Sequence, residues 1–243
     1  MHCRVTKLLD TKPLKPSLHW RLAQLNKLYD FGLSLMLESW AGRVPVEWDS
    51  LAHMAKLYFR YGTVGSAKTL NLLAVAHNYM QQNKRAFLIK PEIDVRFGRD
   101  LVHSRAGLEK KADLLVGPET LLEMTVFDGV DCILVDEAQF LSGAMVDQLR
   151  QVTMDLGIPV ICYGLRTDFR TQQFDGSRRL LEVADSIEEI KTTCNYCHKK
   201  AVFNMKLADG KPSLAGPVID LGAEEKFLPV CAVCYTEKTA SVR

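Results

Sequence analysis

The sequence predicts an α/β fold, with a parallel sheet flanked by helices and a small metal-binding domain at the carboxyl end. Three observations lead to this prediction. Short apolar runs, typical of buried strands, alternate with segments of helical length through the middle of the chain. A loop of small residues joins the first apolar run to a helix, and two close pairs of cysteines occur near the carboxyl end.

Length and composition agree with a two-part globular protein. At 243 residues, of which 47% are hydrophobic, the chain can fill the core of an α/β domain and still form a small accessory domain. A net charge of +2 gives no single-sign field, and no apolar run is long enough to span a bilayer, so we expect neither a nucleic acid nor a membrane as partner. The seven cysteines, an odd number without a secretory signal, argue against a disulfide framework. We therefore expect a cytoplasmic protein.

The loop after the first predicted strand, Leu57 to Tyr61, carries a pattern close to the phosphate-binding P-loop. Gly62 is followed by four residues and then by Ala67-Lys68-Thr69, whereas the pattern is G-x-x-x-x-G-K-[ST]. In such a loop, backbone N–H groups face phosphate oxygens, the lysine reaches the β and γ phosphates, and the hydroxyl binds Mg²⁺. Ala67 replaces a glycine, so we expect its Cβ to crowd the phosphate or to penalise a backbone angle that glycine adopts freely. The predicted phosphate-binding residues are Gly62, Thr63, Val64, Gly65, Ser66, Ala67, Lys68 and Thr69.

Further apolar runs predict the rest of a P-loop NTPase-type sheet. They span residues 85–90, 112–117, 132–135 and 158–163, and helices are predicted from the P-loop to about Gln82 and from about Ser142 to Leu156. Nucleotide sites in such sheets lie beyond the carboxyl ends of the strands. The charged segment between the second and third strands is expected to be irregular, and it places Asp94 and Arg96 at that edge.

Asp136 and Glu137 follow the predicted strand at residues 132–135. A P-loop protein needs such a carboxylate to hold Mg²⁺ and a base to orient or deprotonate the nucleophile. Adjacent residues of a strand point to opposite faces, so we expect only one of the two carboxylates to face the phosphates directly.

The two cysteine pairs predict a structural zinc site. Cys194 and Cys197 form one C-x-x-C pair, and Cys231 and Cys234 form the other. Four thiolates close a tetrahedron around Zn²⁺ and leave no position for water, which makes catalytic zinc the weaker interpretation. Redox use is disfavoured because we expect neither pair to lie at a strand–helix junction. Between the pairs, residues 201–207 and 217–221 alternate like strands.

Each of these features also has a simpler interpretation. The P-loop pattern could be an ordinary strand–turn–helix joint with a chance lysine, and Asp94 with Arg96 could be a solvated ion pair in a surface loop. Asp136 and Glu137 could cap the helix that begins near Ser142.

The motifs together resemble the type II thymidine kinases, the cytosolic, zinc-containing and tetrameric class. The residues that carry the resemblance are the P-loop, DEAQF from Asp136, YGLRTDFR from Tyr163 and the two C-x-x-C pairs, and they cover about Leu57 to Tyr235. EIDVRFG and SRAGL are similar to the bacterial members. The resemblance implies ATP-dependent phosphorylation of the 5′-hydroxyl of thymidine, and of deoxyuridine, for DNA synthesis. It also implies Mg²⁺ with ATP, structural Zn²⁺ and a homotetramer.

The resemblance further implies roles for particular residues. Lys68 would stabilise the transferred phosphoryl group, Thr69 would bind Mg²⁺, and Glu137 would be the base at the 5′-hydroxyl. Four more residues are assigned to the nucleotide and metal side or beside the base: Asp94, Arg96, Asp136 and Gln139. The aromatic residues that would enclose the thymine are Phe140, Phe169 and Phe174. Residues 218–227 match the segment called the lasso, which covers the nucleoside through Val218, Leu221, Gly222 and Phe227.

The domain organisation follows from these assignments. Residues 53–191 are predicted as the P-loop nucleotide-binding domain and residues 192–243 as the zinc ribbon with the lasso. Residues 1–52 are an extension that we interpret as mainly helical, because leucines recur at helical spacing after Ser17. An organellar transit peptide is the alternative, since the first part is basic.

Two other functions remain open at this point. Ala67 would suit a nucleotide-binding protein that has lost catalysis, although the intact Lys68, Thr69 and Glu137 speak against that loss. A zinc ribbon can instead bind nucleic acid or a protein partner, but the lysines between the cysteine pairs are interspersed with acidic residues rather than clustered.

Overall fold

The computed structural model describes residues 55–218 and 227–242. The expectations for residues 1–52, and for most of the lasso, including Leu221 and Gly222, lie outside the described residues. No helix in the described ranges is long and apolar enough to cross a membrane.

The centre of the fold is a sheet of six strands in which every pair of neighbours is parallel. The described strands, in chain order, are β1 (Leu57–Tyr61), β2 (Ala86–Pro91), β3 (Leu101–His103), β4 (Glu109–Lys111), β5 (Leu114–Val116), β6 (Cys132–Val135), β7 (Val160–Gly164), β8 (Ser186–Glu189), β9 (Phe203–Ala208), β10 (Lys211–Ser213) and β11 (Phe227–Val230). The order across the large sheet is β5-β2-β6-β7-β1-β8. The predicted α/β fold with a parallel sheet is confirmed.

Helices cover both faces of this sheet. These helices are α1 (Lys68–Gln81), α2 (Gly143–Asp155) and α3 (Asp175–Val183), whereas α4 (Ala232–Thr239) packs on the small sheet of the carboxyl-terminal part. Alternate strand residues point to opposite faces, so each face has its own apolar core. The core under α2 and α3 includes Phe59, Ile133, Val160, Met145, Leu149 and Leu180. The core under α1 includes Leu88, Leu134, Ile161, Tyr163, Leu72 and Ala76.

The start of α2 removes one simpler interpretation of the acidic pair. Ser142 is the N-cap of α2, and its hydroxyl accepts a hydrogen bond from the backbone N–H of Met145 at 3.2 Å. A serine in this position satisfies one of the free N–H groups of the first turn. The interpretation of Asp136 and Glu137 as the cap of this helix is therefore wrong, and both carboxylates are available for another task.

The segment between β2 and β5 is more ordered than expected. Its second half folds into an antiparallel hairpin of β3 and β4. Lys90, only 1% exposed, donates from Nζ to the carbonyl of Leu101 at 2.7 Å and lies 3.4 Å from an oxygen of Asp94. This buried ammonium ties the loop after β2 to the hairpin. The expectation of an irregular segment is wrong for this half, because the pairing joins short strands that carry no apolar run.

The carboxyl-terminal part contains a second sheet, in which β9 pairs antiparallel with β10 on one side and with β11 on the other. The expected strand at residues 201–207 is observed as β9, shifted by one or two residues. The expected strand at residues 217–221 is not observed at Pro217 and Val218, which are outside any strand, and its remainder lies outside the described residues. The described residues of both sheets belong to one compact unit.

Candidate active site

The phosphate loop joins β1 to α1 at the carboxyl edge of the large sheet. Lys68 folds back over the loop, and its ammonium donates to the carbonyls of Gly62 at 3.2 Å and Thr63 at 2.7 Å. A longer contact of 3.4 Å joins it to the hydroxyl of Ser66. Burial lowers the pKa of Lys68 to about 8, although the nearby carboxylates oppose that change. The loop thus presents a cation that is still mostly protonated at neutral pH.

The structure shows why glycine is preferred at two positions of the phosphate loop, Gly62 and Ala67. A Cβ on Gly62 would lie 2.4 Å from the Ser66 hydroxyl and 2.5 Å from the backbone oxygen of Ile190, so no side chain fits there. Ala67 has φ 63° and ψ 29°, in the left-handed region. Of the two penalties expected for Ala67, the backbone angle is therefore present, at a cost of about 1–2 kcal/mol relative to the right-handed region.

Asp136 and Glu137 both reach the phosphate loop. The Thr69 hydroxyl lies 3.1 Å from Oδ2 of Asp136, so a hydroxyl and a carboxylate stand side by side. Glu137 has φ 49°, which ends the alternation of the strand and turns its side chain towards the same cavity. Both carboxylates therefore line one cavity, which strand alternation did not predict, because a left-handed residue ends that alternation.

Glu137 is held by two neighbours. Nη2 of Arg96 donates to its Oε1 at 2.5 Å, and the side-chain amide of Gln139 donates to its Oε2. Burial alone would raise the pKa of Glu137, but the charges of Arg96 and Lys68 outweigh it and hold the pKa below its ordinary value. The pKa of Asp136 moves the other way, raised by burial and by the charge of Glu137. Glu137 is therefore held in its ionised form, whereas Asp136 takes up a proton more readily than an ordinary aspartate.

Asp94 and Arg96 form a buried ion pair rather than a solvated one. Asp94 is 3% exposed, and its Oδ1 accepts from Nε of Arg96 at 2.6 Å. Burial by itself raises the pKa of Asp94, but the hydrogen bond and charge of Arg96 and the charge of Lys90 lower it by more. The net pKa lies below the ordinary value, so the carboxyl is ionised. The solvated surface pair considered for these residues is wrong. Arg96 instead bridges Asp94 and Glu137 and sets the position of the latter.

A cavity of about 370 Å³ opens between the phosphate loop, the carboxyl ends of β2 and β6, and the β3–β4 hairpin. Its lining includes six predicted P-loop residues, from Val64 to Thr69, and the four charged residues Asp94, Arg96, Asp136 and Glu137. The site residues that the sequence analysis did not assign are Leu70, Phe97, Leu101, His103, Ser104, Arg105, Ala106 and Leu165. Phe97 belongs to EIDVRFG, and the three residues from Ser104 to Ala106 belong to SRAGL. The resemblance of those two stretches to the bacterial members was the signal that could have identified these four residues.

Gln139 does not line the cavity. It is 2% exposed and lies behind Glu137, where its Oε1 accepts from the backbone N–H of Leu165 at 2.9 Å. Gln139, which the sequence analysis assigned to nucleotide binding, instead bonds the carboxylate of Glu137. The amide uses its two ends for the carboxylate and for the loop after β7.

The residues expected to enclose the thymine lie in two aromatic pairs outside this cavity. The rings of Phe140 and Phe174 meet edge to face with centroids 5.8 Å apart, and the rings of Phe169 and Phe227 are 6.1 Å apart. Phe169 is almost fully buried, with the guanidinium of Arg170 4.7 Å from its ring centroid. None of the described residues assigned to the nucleoside, Val218 included, lines the cavity.

The four cysteines come together as the spacing predicts. The four Sγ atoms lie within 4.8 Å of one another, with 3.6 Å between Cys197 and Cys231 and 3.8 Å between Cys197 and Cys234. Four thiolates at about 2.3 Å from Zn²⁺ would be about 3.8 Å apart in a tetrahedron. Backbone N–H groups also point at the sulfurs, since Tyr196 N lies 3.5 Å from Cys194 Sγ and Cys234 N lies 3.5 Å from Cys231 Sγ. The cluster fits a zinc ion.

Cys231 and Cys234 lie at the junction of β11 and α4, so the expectation that neither pair lies at a strand–helix junction is wrong for this pair. The closeness of all four sulfurs still favours a metal site over redox use.

This site is typical of a P-loop nucleotide-binding protein of the phosphotransferase type. It combines a phosphate loop and its lysine with a hydroxyl beside one carboxylate and a second carboxylate held by an arginine. The family model described as thymidine kinase matches residues 55–235. The chain belongs to the thymidine kinase family.

Individual relatives agree with this assignment. The chain is 44% identical over 189 residues to a thymidine kinase of Lactococcus lactis, an alignment that covers 75% of this chain and 97% of the relative. It is 42% identical to thymidine kinases of Lactiplantibacillus plantarum and Listeria innocua, over 75% of this chain and 96% and 97% of those proteins. One family therefore accounts for the phosphate loop and the cysteine cluster together. The alternatives of a binder without catalysis and of a separate zinc-ribbon module are not favoured.

Proposed function

We propose that this protein transfers the γ-phosphoryl group of ATP to the 5′-hydroxyl of thymidine, and of deoxyuridine, with Mg²⁺ bound to the nucleotide. The observation that carries the proposal is the position of Glu137. It is an ionised carboxylate at the end of β6 that shares one cavity with Lys68 and Thr69. A phosphate-binding loop opposite such a carboxylate supports transfer to a hydroxyl. The names of the similar proteins support thymidine as the acceptor.

The residues divide the work by charge. Lys68 neutralises charge on the transferred group, and the N–H groups at the start of α1 face the phosphates. Thr69 and Asp136 would hold Mg²⁺, a cation that prefers oxygen ligands and neutralises phosphate charge when bound. Their oxygens lie 3.1 Å apart on the same side of the loop, which fits two neighbouring ligands.

Glu137 would accept a hydrogen bond from the 5′-hydroxyl. Its pKa is held low, so it is ionised at neutral pH, and in a loose transition state it needs to take the proton only late. Arg96 and Gln139 fix the orientation of the carboxylate through its two oxygens. Positioned bases of this kind contribute roughly 10² to 10⁴ in rate.

The same proposal includes features that the resemblance implies. Residues 53–191 would form the nucleotide-binding domain and residues 192–243 the zinc domain, with the lasso and the aromatic residues Phe140, Phe169 and Phe174 around the nucleoside. The protein would be a cytoplasmic homotetramer. Size-exclusion chromatography with light scattering tests the assembly, and a mass corresponding to one chain would contradict it.

The test of function is transfer of label from γ-labelled ATP to thymidine. We expect the wild type to produce labelled thymidylate and Glu137→Gln to lose roughly 10² to 10⁴ in kcat with thymidine binding largely kept. Glu92→Gln is the matched control, because Glu92 is an exposed carboxylate just after β2 that does not line the cavity. Binding of both substrates by the wild type without label transfer would contradict the proposal.

A further inference from the structure

Asn204 lies in the small sheet of the cysteine-bearing part, yet its side chain touches the phosphate loop. It is on β9 and is only 3% exposed. Its Oδ1 accepts a hydrogen bond from the backbone N–H of Val64 at 2.8 Å, and its Nδ2 donates to the carbonyl of Thr167 at 3.0 Å. One buried amide thus joins three segments that are far apart in the sequence.

The chemistry of the two partners determines the orientation of this amide. The Val64 N–H can only donate and the Thr167 carbonyl can only accept, so the oxygen must face the phosphate loop and the nitrogen must face the loop after β7. Asparagine supplies both functions on a short side chain. Aspartate has the same shape but lacks the donor, and alanine would leave both buried backbone groups without their partner.

The two segments joined by Asn204 serve different sides of the proposed reaction. Val64 belongs to the loop that faces the phosphates of the donor and lines the cavity. Thr167 precedes Phe169, one of the residues assigned to the nucleoside, in a loop closed by the Asp168 carboxylate, which accepts from the backbone N–H groups of Arg170 and Gln172 at 2.8 Å each. One side chain therefore connects the two loops beyond their bases, where the backbone N–H of Gly62 already donates to the carbonyl of Gly164 at 3.2 Å.

Asn204 is itself held by the cysteine-bearing part. In the β9–β11 pairing it lies opposite Pro229, whose carbonyl accepts from the backbone N–H of Asn195 at 2.8 Å. Asn195 lies between Cys194 and Cys197, and β11 leads directly into Cys231. The small sheet is thus the support from which Asn204 reaches the active site.

We propose that Asn204 is a positioning residue that fixes the phosphate loop relative to the nucleoside loop, so that the small sheet sets the alignment of the two substrates. This proposal rests on the proposed function for its kinetic consequence only. A purely structural residue in the same sheet would lower stability without a selective effect on these two loops. Asn204 is distinguished by side-chain hydrogen bonds that end on the backbone of both loops.

The experiment compares Asn204→Ala and Asn204→Asp with Met205→Ala. Met205 is the next residue of β9, is 1% exposed and packs among Cys194, Val230 and Tyr235, so its truncation weakens the same sheet but removes no hydrogen bond to either loop. Hydrogen exchange is measured at residues 62–69 and 165–174, together with the thermal midpoint, zinc content and the kcat and KM values for MgATP and thymidine.

We expect Asn204→Ala to keep its zinc and to exchange faster in both segments than Met205→Ala does. We also expect it to lose about 10- to 100-fold in kcat/KM for MgATP beyond any loss in Met205→Ala, the size expected for a misplacement of the reacting groups. Asn204→Asp, which keeps the acceptor for Val64, should leave residues 62–69 better protected than Asn204→Ala does. If Asn204→Ala fails to fold, the isosteric Asn204→Asp is used for the test. Faster exchange at residues 165–174 in Asn204→Asp than in Met205→Ala would then support the proposal, and equal exchange would overturn it.

Equal exchange and equal kinetic losses in the Asn204 and Met205 variants would overturn the proposal, as would wild-type exchange in both segments of Asn204→Ala. The exchange measurements need no turnover. A wild type that does not phosphorylate thymidine would therefore count against the proposed function, while faster exchange in Asn204→Ala would still support the positioning role.

Discussion

The guanidinium of Arg96 is bonded to the carboxylate of Glu137, with 2.5 Å between Nη2 and Oε1, although the two residues are 41 positions apart in the chain. The same guanidinium bonds Asp94 through Nε. Arg96 therefore holds both acids ionised at the edge of the sheet. This arrangement sets the protonation state of the residue that we propose as the base.

Replacing Arg96 should move the acid limb of the pH–rate profile. Without its charge, burial raises the pKa of Glu137, and Arg96 lowers the pKa of Asp136 as well. A raised pKa means that the carboxylates stay protonated to higher pH, so activity is lost earlier as pH falls. We expect Arg96→Met to shift the acid limb of kcat/KM for thymidine upward by about 1 to 3 pH units.

The controls for this shift are a second substitution at the same position and one nearby. Arg96→Lys keeps a positive charge and should restore most of the acid limb. Arg99→Met removes an exposed arginine of the same loop and should leave the profile unchanged. An acid limb in Arg96→Met that coincides with the wild type would show that Arg96 does not control these carboxylates.

The affinity for ATP should decline at alkaline pH. Burial lowers the pKa of Lys68 to about 8, so the ammonium loses its proton as pH rises through that value. We expect calorimetric binding of MgATP to weaken steadily above about pH 8 in the wild type. Lys68→Met should bind weakly at every pH, whereas Lys84→Met, an exposed lysine beyond α1, should follow the wild type. A flat profile for the wild type up to pH 9.5 would contradict this assignment.

Ala67→Gly should stabilise the protein. Releasing the left-handed alanine gains about 1–2 kcal/mol, and the greater freedom of glycine in the unfolded chain costs about 0.4–1 kcal/mol. We expect a net gain of about 0.5 kcal/mol in the free energy of unfolding by urea, with equal or higher kcat/KM for ATP. Turnover seen only in Ala67→Gly would instead mean that the natural phosphate loop is damaged.

Asn83→Gly provides the matched control for Ala67. Asn83 also has positive φ, 56°, but is exposed at the end of α1 and away from the cavity. Asparagine tolerates this region better than alanine, so the gain there should be smaller and activity should not change. A larger gain at Asn83 than at Ala67 would argue that strain in the phosphate loop is relieved by other means.

Removing zinc should unfold the small sheet. We expect about one zinc per chain in the wild type, because four thiolates saturate a single ion, and much less in Cys197→Ser, measured by elemental analysis. Zinc binding worth roughly 10 kcal/mol or more supports a segment too small for a large core of its own. Chelation should therefore increase hydrogen exchange across β9 and β11. Cys132→Ala removes a buried thiol outside the cluster and should keep its zinc.

The fold class, the P-loop pattern and the cluster of four cysteines could be predicted from the sequence. Strands such as β2 and β6 are short apolar runs that can be recognised in the sequence. The loop at Gly62 and the cysteine pairs are local patterns, so their chemistry can be predicted without knowledge of tertiary contacts. The helix ends at Ser142 and Gln82 were also close to the predicted positions. The family resemblance rested on the same local patterns.

The way these parts meet depends on tertiary contacts. Glu137 joins Asp136 in one cavity because its φ of 49° breaks strand alternation, a property that residue type does not reveal. The hairpin of β3 and β4 depends on pairing between strands without an apolar pattern. The bond from Val64 to Asn204 spans 140 positions and exists because β9 lies beside the phosphate loop. The backbone angle of Glu137 and these long-range contacts arise from the packing of the whole chain, so no local pattern predicted them.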